Sequence, residues 1–329
     1  MANEIPKFSP TTPEKYPMMR NVVGQAKEFI SEISENMDNA GIYYSLGIAP
    51  DKTFMINSEP GMGKTFGIKA LNNERNKDFQ KKILKRLSNI IDPKTKEVNI
   101  PVVTVKLNDL NMLLMEYDIG KYGTAYINMG SRIAQAFFDE VFKYSTYGVP
   151  ILVSVDECES LFKSRKSQEN SHSEDKKVLN TLMKNLQRAH DSENVYTIMM
   201  TNLLEDIDDA SIRAGRIDRR IKLNSPSKLE RKLAYENAIK TVNEKAGYQV
   251  ARNINYNNLS ELSEGFNYAD IYQSIDGALR TKAKQLIKSK EPGIIRAGYV
   301  KGSSVEKAVQ NHKKEFKEKI KKRKRIGFI

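Results

Sequence analysis

The 329-residue chain has one cysteine, three histidines and no long apolar run. A single thiol, Cys158, cannot close an internal disulfide, and it reads as a small buried filler rather than a reactive group. His172, His190 and His312 are scattered, with none of the Cys/His spacing of a zinc site. No segment approaches the roughly 20 apolar residues of a membrane-spanning helix. The opening Met-Ala-Asn-Glu-Ile-Pro-Lys lacks the basic and apolar regions of a secretory signal. These absences predict a soluble, cytoplasmic protein without disulfides. Repeats and low-complexity domains are also missing, while 39% hydrophobic residues over this length suffice for two domains with real cores.

Residues 58–65 read Ser-Glu-Pro-Gly-Met-Gly-Lys-Thr. A Gly-rich turn ending in Lys-Thr can wrap a triphosphate. Small residues let backbone N–H groups approach the phosphates, Lys64 brings a positive charge, and Thr65 offers its hydroxyl to Mg²⁺. Thr53–Asn57 before it is a short apolar strand. Thr65 and Phe66 after it open a helix whose N-terminus adds its dipole to the phosphate site. The strict pattern fails at its first glycine, which is Ser58 here.

Pro150–Val155 is a buried-strand run ending in Asp156-Glu157. Acidic pairs after strands are often solvated turns. About 90 residues beyond a phosphate loop, one carboxylate is better placed at Mg²⁺ and the other at an attacking water. A third stretch, Tyr196–Ile221, is an apolar strand ending in Asn202, then a turn-rich segment with Arg213, Arg216, Arg219 and Arg220. Such Asn residues are ordinarily turn formers and such Arg runs solvated faces. In phosphoryl transfer, Asn can orient water and Arg can stabilise charge on the γ-phosphate.

These three stretches resemble the AAA ATPases of the AAA+ superfamily, the branch holding the katanin and spastin severing enzymes, the proteasomal ATPases and the AAA proteases. Ser58–Thr65 stands for the Walker A loop and Asp156–Phe162 for Walker B. Thr201-Asn202 through Ile221 stands for sensor 1 and the second region of homology. The resemblance covers roughly residues 20–312. It implies that Ser58, Glu59, Pro60, Gly61, Met62, Gly63, Lys64, Thr65 and Phe66 bind ATP, with Val23 and Gly24 at the adenine and Ala269 near base or ribose. Tyr268 stands where a glycine is usual. Thr65 and Asp156 would hold Mg²⁺, Glu157 would polarise water and Asn202 would sense the γ-phosphate. Arg213 and Arg216 would act in trans as arginine fingers, which implies a homo-oligomer, a six-subunit ring. Ser58 and Glu59 precede the Gly61–Thr65 cradle and are expected to be tolerated at a cost in affinity.

The expected fold is an α/β P-loop parallel sheet flanked by helices, followed by a small helical lid. An irregular arm (1–20) precedes a large α/β domain (21–225). The lid (226–312) and a basic tail (313–329) follow. Strand-like runs lie at 53–57, 101–106, 150–155, 196–201 and 219–223, and helical ones at 227–244, 257–263, 268–287 and from 304 onward. Asn72–Asn99 reads as an insertion, with Phe79, Ile83, Leu87 and Ile90 on one face of a surface helix. Within Met115–Ile133, Lys121-Tyr122-Gly123 best matches the family's pore loop, with Tyr122 gripping a polypeptide. Tyr117 and Tyr126 are rivals, and a plain core tyrosine is the alternative.

Residues 313–325 hold nine Lys/Arg against two Glu, or +7 of the chain's +13. That run could draw nucleic acid, an acidic partner or anionic lipid, or be a solvated end. The function expected is an ATP-hydrolysing ring motor that remodels or threads a protein substrate. A nucleic-acid motor or loader and a nucleotide-switched scaffold with little turnover are the alternatives.

Overall fold

The computed structural model describes residues 5–11, 17–87, 97–100, 103–106, 112–125, 129–146, 148, 150–158, 173–202, 217–288 and 299–325. The chain forms two compact units. One comprises 1–19, 26–60 and 64–223; the other comprises 20–25, 61–63 and 224–329.

The first unit runs α1 (Gln25–Asp38), α2 (Ala40–Ser45), β1 (Thr53–Asn57), α3 (Lys64–Leu87), β2 (Glu97–Ile100) and β3 (Val103–Lys106). It continues with β4 (Leu113–Asp118), α4 (Ile119–Ala125), α5 (Gly130–Ser145), β5 (Ile151–Asp156), α6 (Ser173–Asp191), β6 (Val195–Thr201) and β7 (Arg219–Lys222). Five strands make one sheet in the order β4-β5-β6-β1-β7, and every pairing in it is parallel. A parallel sheet covered on both faces needs uninterrupted apolar strands. β6, Val-Tyr-Thr-Ile-Met-Met-Thr, is buried at all seven positions. On one face Met55, Met115, Val153 and Met199 meet Phe137, Phe138 and Val141 of α5 and Leu182 and Leu186 of α6. The alternate residues Phe54, Leu114, Leu152 and Ile198 are equally buried, and the Phe29 ring of α1 lies 6.1 Å from Phe54.

The expected α/β parallel sheet is therefore present, with one strand changed. The fifth strand is Leu113–Asp118, not 101–106. Leu114, Met115 and Tyr117 are buried by pairing with β5, whereas Val103–Lys106 pairs antiparallel with Glu97–Ile100 in a separate hairpin. Of the pore-region segment, Met115–Asp118 belongs to the sheet, and the rival Tyr117 is 2% exposed, as a core tyrosine would be. Tyr126 lies outside the described residues. Asn72–Leu87 of the expected insertion is helical, as its spacing implies. No proline or glycine interrupts Ile68–Leu87, so α3 runs on without a break and carries positions 79, 83 and 87 itself. Ile90 lies outside the described residues.

Among the described residues of the arm, 5–11 and 17–20, two side chains reach the first unit's sheet and helix layer. Thr11 N–H donates to Leu114 O (2.9 Å), its hydroxyl donates to Glu116 (2.9 Å), and Phe8 stands edge-on to Phe137 at 5.2 Å.

The second unit contains α7 (Lys228–Ala246), β8 (Ala251–Arg252), α8 (Tyr256–Leu262), α9 (Tyr268–Lys288), β9 (Val300–Lys301) and α10 (Gly302–Arg325). α7 opens with a capping box, in which Ser227 and Glu230 satisfy each other's backbone N–H, and stops at Gly247 with φ +73°. Tyr235, Phe266, Ile271, Val305 and Val309 form its core. The two-residue pairing of β8 with β9 was not expected. The helix expected from 304 onward runs through 313, where the basic tail is expected to begin. α10 passes through that position, Lys313 Nζ donates to Leu262 O (2.8 Å), and Phe316 stands 6.1 Å from Phe266.

Candidate active site

Parallel strands bring their C-terminal ends to one edge, and register decides which residues meet there. Asn57 of β1 is opposite Thr201 of β6, so the residues that follow, Ser58 and Asn202, are neighbours. Val155 of β5 is opposite Met199, which places Asp156 beside the same edge. Ser58 N–H donates to Thr201 O (3.3 Å) and Cys158 N–H to Met200 O (3.0 Å), extending the ladder past the strands.

Lys64, the first residue of α3, folds back over this edge. Its ammonium donates to Ser58 O (2.8 Å), Ser58 Oγ (2.9 Å) and Asn202 Oδ1 (2.8 Å), with Glu59 O at 3.4 Å. Ser58 is fully buried, and its hydroxyl donates to Glu59 O (3.0 Å). The serine in place of glycine is thus a ligand of the lysine, a role its pattern position does not reveal. Thr65 Oγ1 lies 4.0 Å from Met200 Sδ, and Phe66 is exposed. Glu157 is exposed at the end of β5 with φ +56°, a backbone conformation uncommon outside glycine, and its N–H donates to Asp156 Oδ1 (2.8 Å).

In the second unit, Gly61 and Gly63 flank Met62 with φ +83° and +85°, where a side chain would be strained. Gly61 O accepts from Ala269 N–H (3.1 Å), and a Cβ on Gly61 would meet the Asn267 amide at 2.7–2.9 Å. Tyr268 fills the space a glycine would leave. Its hydroxyl donates to Val23 O (3.4 Å) and lies against Gly24, as does the Glu230 carboxylate. Burial, with the Glu230 charge second, pushes the Tyr268 phenol well above its usual pKa, so it stays a neutral donor. Asn267 and Glu230 are not among the expected site residues, although the Ser-x-x-Glu pattern of Ser227 and Glu230 is a capping signal.

The structure therefore brings Ser58, Lys64, Asn202, Asp156 and Glu157 to one sheet edge. Arg213 and Arg216 lie outside the described residues. Arg219 pairs with Glu32 and Asp51 instead. Tyr122, on α4, is half-buried, stacked on Tyr117 (5.4 Å between centroids, 21° between planes) and edge-on to Phe8 (5.4 Å).

Residues 54–225 match the family described as "ATPase family associated with various cellular activities (AAA)". The chain belongs to this family. Membership makes it an ATPase and a nucleotide-binding protein. An AAA relative, the chloroplastic ATP-dependent zinc metalloprotease FTSH 9 of Arabidopsis thaliana, is 24% identical over 258 residues, or 78% of this chain and 27% of that protein. The proteasome-activating nucleotidase of Saccharolobus islandicus (strain Y.N.15.51 / Yellowstone #2) is 26% identical over 290 residues, or 84% of this chain and 62% of that protein. That of Sulfurisphaera tokodaii is 26% identical over 254 residues, or 76% and 53%. This AAA chain thus spans between about a quarter and three fifths of these relatives' lengths. No helix among the described residues is long and apolar enough to cross a membrane.

Proposed function

We propose that this chain is the motor module of an ATP-driven ring, six copies in the expected arrangement, that unfolds or threads a protein substrate. The observation that carries the reading is the convergence of Lys64, Ser58, Asn202, Asp156 and Glu157 at one edge of the parallel sheet. Relatives named as proteasome-activating nucleotidases favour a polypeptide as the object of the work.

The residues fit a nucleoside triphosphate with its metal. Lys64 supplies the cation for the β/γ-phosphates, and glycines 61 and 63 supply the left-handed backbone the loop's turn needs. Thr65 and Asp156 offer hard oxygen donors suited to Mg²⁺. Among the described residues no cluster of three His, Cys, Asp or Glu could hold an ion alone, so phosphate oxygens and water would complete the shell. Mg²⁺ would neutralise phosphate charge during transfer. Glu157 then takes the proton of the attacking water. Asn202 reports on the γ-phosphate through its bond to Lys64, so a shift at the phosphate is felt at the end of β6. Arg213 and Arg216, reaching a neighbouring copy's nucleotide, would make turnover depend on assembly.

Glu157→Gln tests the chemistry. ATP binding should persist while hydrolysis falls at least 100-fold; hydrolysis at the wild-type rate overturns the role given to Glu157. Stimulation of the ATPase by an unfolded polypeptide tests the substrate class. The rival nucleic-acid motor draws on α10, which carries nine Lys/Arg within 313–325. Stimulation by DNA that falls steeply with salt would favour it instead.

A further inference from the structure

Gly120 is the second residue of α4, where glycine is a poor helix former. Its backbone does not ask for glycine, since its φ lies outside the left-handed region. Space does. A Cβ built on Gly120 would collide with Glu157 Oε2, would stand 2.9 Å from Glu157 Cδ and would touch Asp118 Oδ1 at 3.4 Å. The carboxylate of the proposed general base occupies the volume that any other residue at 120 would fill.

The fold explains how two residues so far apart in sequence meet. Asp118 is opposite Asp156 in the β4–β5 register, so the residues leaving the two strands are side by side. Asp118 then accepts the Lys121 N–H (2.9 Å), fixing the first turn of α4 to the strand end. Glu157 approaches that turn from a backbone held at φ +56°. The turn is thus fixed by its cap, and the glutamate's backbone, though not its side chain, by its conformation.

We propose that Gly120 is a positioning residue for Glu157: the bare backbone at 120 is the seat that sets where the carboxylate points when it receives a proton. The proposal rests on Glu157 being the base. An added methyl group at 120 would turn the carboxylate aside without touching the phosphate-binding residues. A displacement of this kind lowers the chemical step while leaving nucleotide affinity alone.

The test is Gly120→Ala in the full chain, alone and combined with Glu157→Asp, which is one methylene shorter. For Gly120→Ala we expect kcat to fall at least tenfold, KM for ATP to stay within twofold, and Tm to hold or rise, since alanine favours a helix. The double variant should be no slower than Glu157→Asp alone, because the shorter carboxylate no longer needs the space. A kcat for Gly120→Ala within twofold of wild type overturns the proposal, as does a loss that tracks a falling Tm or adds fully to that of Glu157→Asp. Glu157→Gln separates the two levels. If it hydrolyses normally, the base assignment itself fails. If it is inactive while Gly120→Ala is normal, only the seat fails.

Discussion

Replacing Ser58 with glycine should tighten ATP binding even as it weakens the folded chain. An ammonium has three hydrogens, and Lys64 directs its short contacts to Ser58 O, Ser58 Oγ and Asn202 Oδ1, all at 2.8–2.9 Å. A phosphate oxygen must take the place of one of them. The Ser58 hydroxyl is the contact a glycine removes, and hydrogen bonds to charged groups are worth about 1.5–3 kcal/mol. Lys64 is only half-buried and water would partly replace the lost partner, so the lower end applies. About 1.4 kcal/mol corresponds to tenfold, and a three- to tenfold lower Kd for ATP is expected. Stability should move the other way. The buried Ser58 hydroxyl loses its bond to Glu59 O, and glycine adds unfolded-chain entropy, together about 1–2 kcal/mol. Calorimetric titration of ATP into a Glu157→Gln background, where the nucleotide survives, reads the first effect, and urea denaturation reads the second. An unchanged or weaker Kd would show that the serine does not compete for the lysine.

Asp218 accepts the N–H groups of Lys52 (2.7 Å) and Thr53 (2.8 Å) at the start of β1 and faces His190 Nε2 at 3.2 Å. Asp218→Ala should cost about 2–4 kcal/mol in urea denaturation and Asp218→Asn about half that; an alanine effect below about 1 kcal/mol contradicts the anchoring role. Tyr122→Ala separates two roles. A core tyrosine packed on Tyr117 and Phe8 should cost about 2 kcal/mol of stability, whereas a pore aromatic should leave Tm alone and abolish stimulation by polypeptide. Burial, then the neighbouring Tyr44, pushes the Tyr196 phenol up to about 12 from its ordinary 10.0. The folded chain therefore holds that proton longer than the unfolded one. The stabilisation is complete below pH 10 and is lost as pH rises from about 10 to about 12. Absorbance titration of wild type against Tyr196→Phe should show one late-titrating phenol fewer in the variant.

Much of the active edge was legible because its signals are local. Thr53–Asn57, Ile151–Asp156 and Val195–Thr201 are apolar runs of strand length, each followed at once by the residues that carry chemistry. A run of that kind needs only its own composition to announce a buried strand. The helices of the second unit lie within two residues of the expected runs at 227–244, 257–263 and 268–287. β4 was misread because Leu-Leu-Met-Glu-Tyr-Asp mixes polar and apolar residues, and only pairing with β5 selects a strand for it. The helix read from the spacing of Phe79, Ile83 and Leu87 continues the P-loop helix, because no proline or glycine breaks the chain between them.

The sequence by itself therefore determined the chemistry on offer: a glycine-rich loop with Lys64 and Thr65, two carboxylates and an amide, each at the end of a strand. Tertiary structure decided which of these groups touch. That Ser58 and Asn202 share one ammonium follows from the β1–β6 register, and that Gly120 seats Glu157 follows from the β4–β5 register. Register is a property of pairs of strands distant along the chain. It is fixed by burying both faces of the sheet at once, and no single segment contains that information.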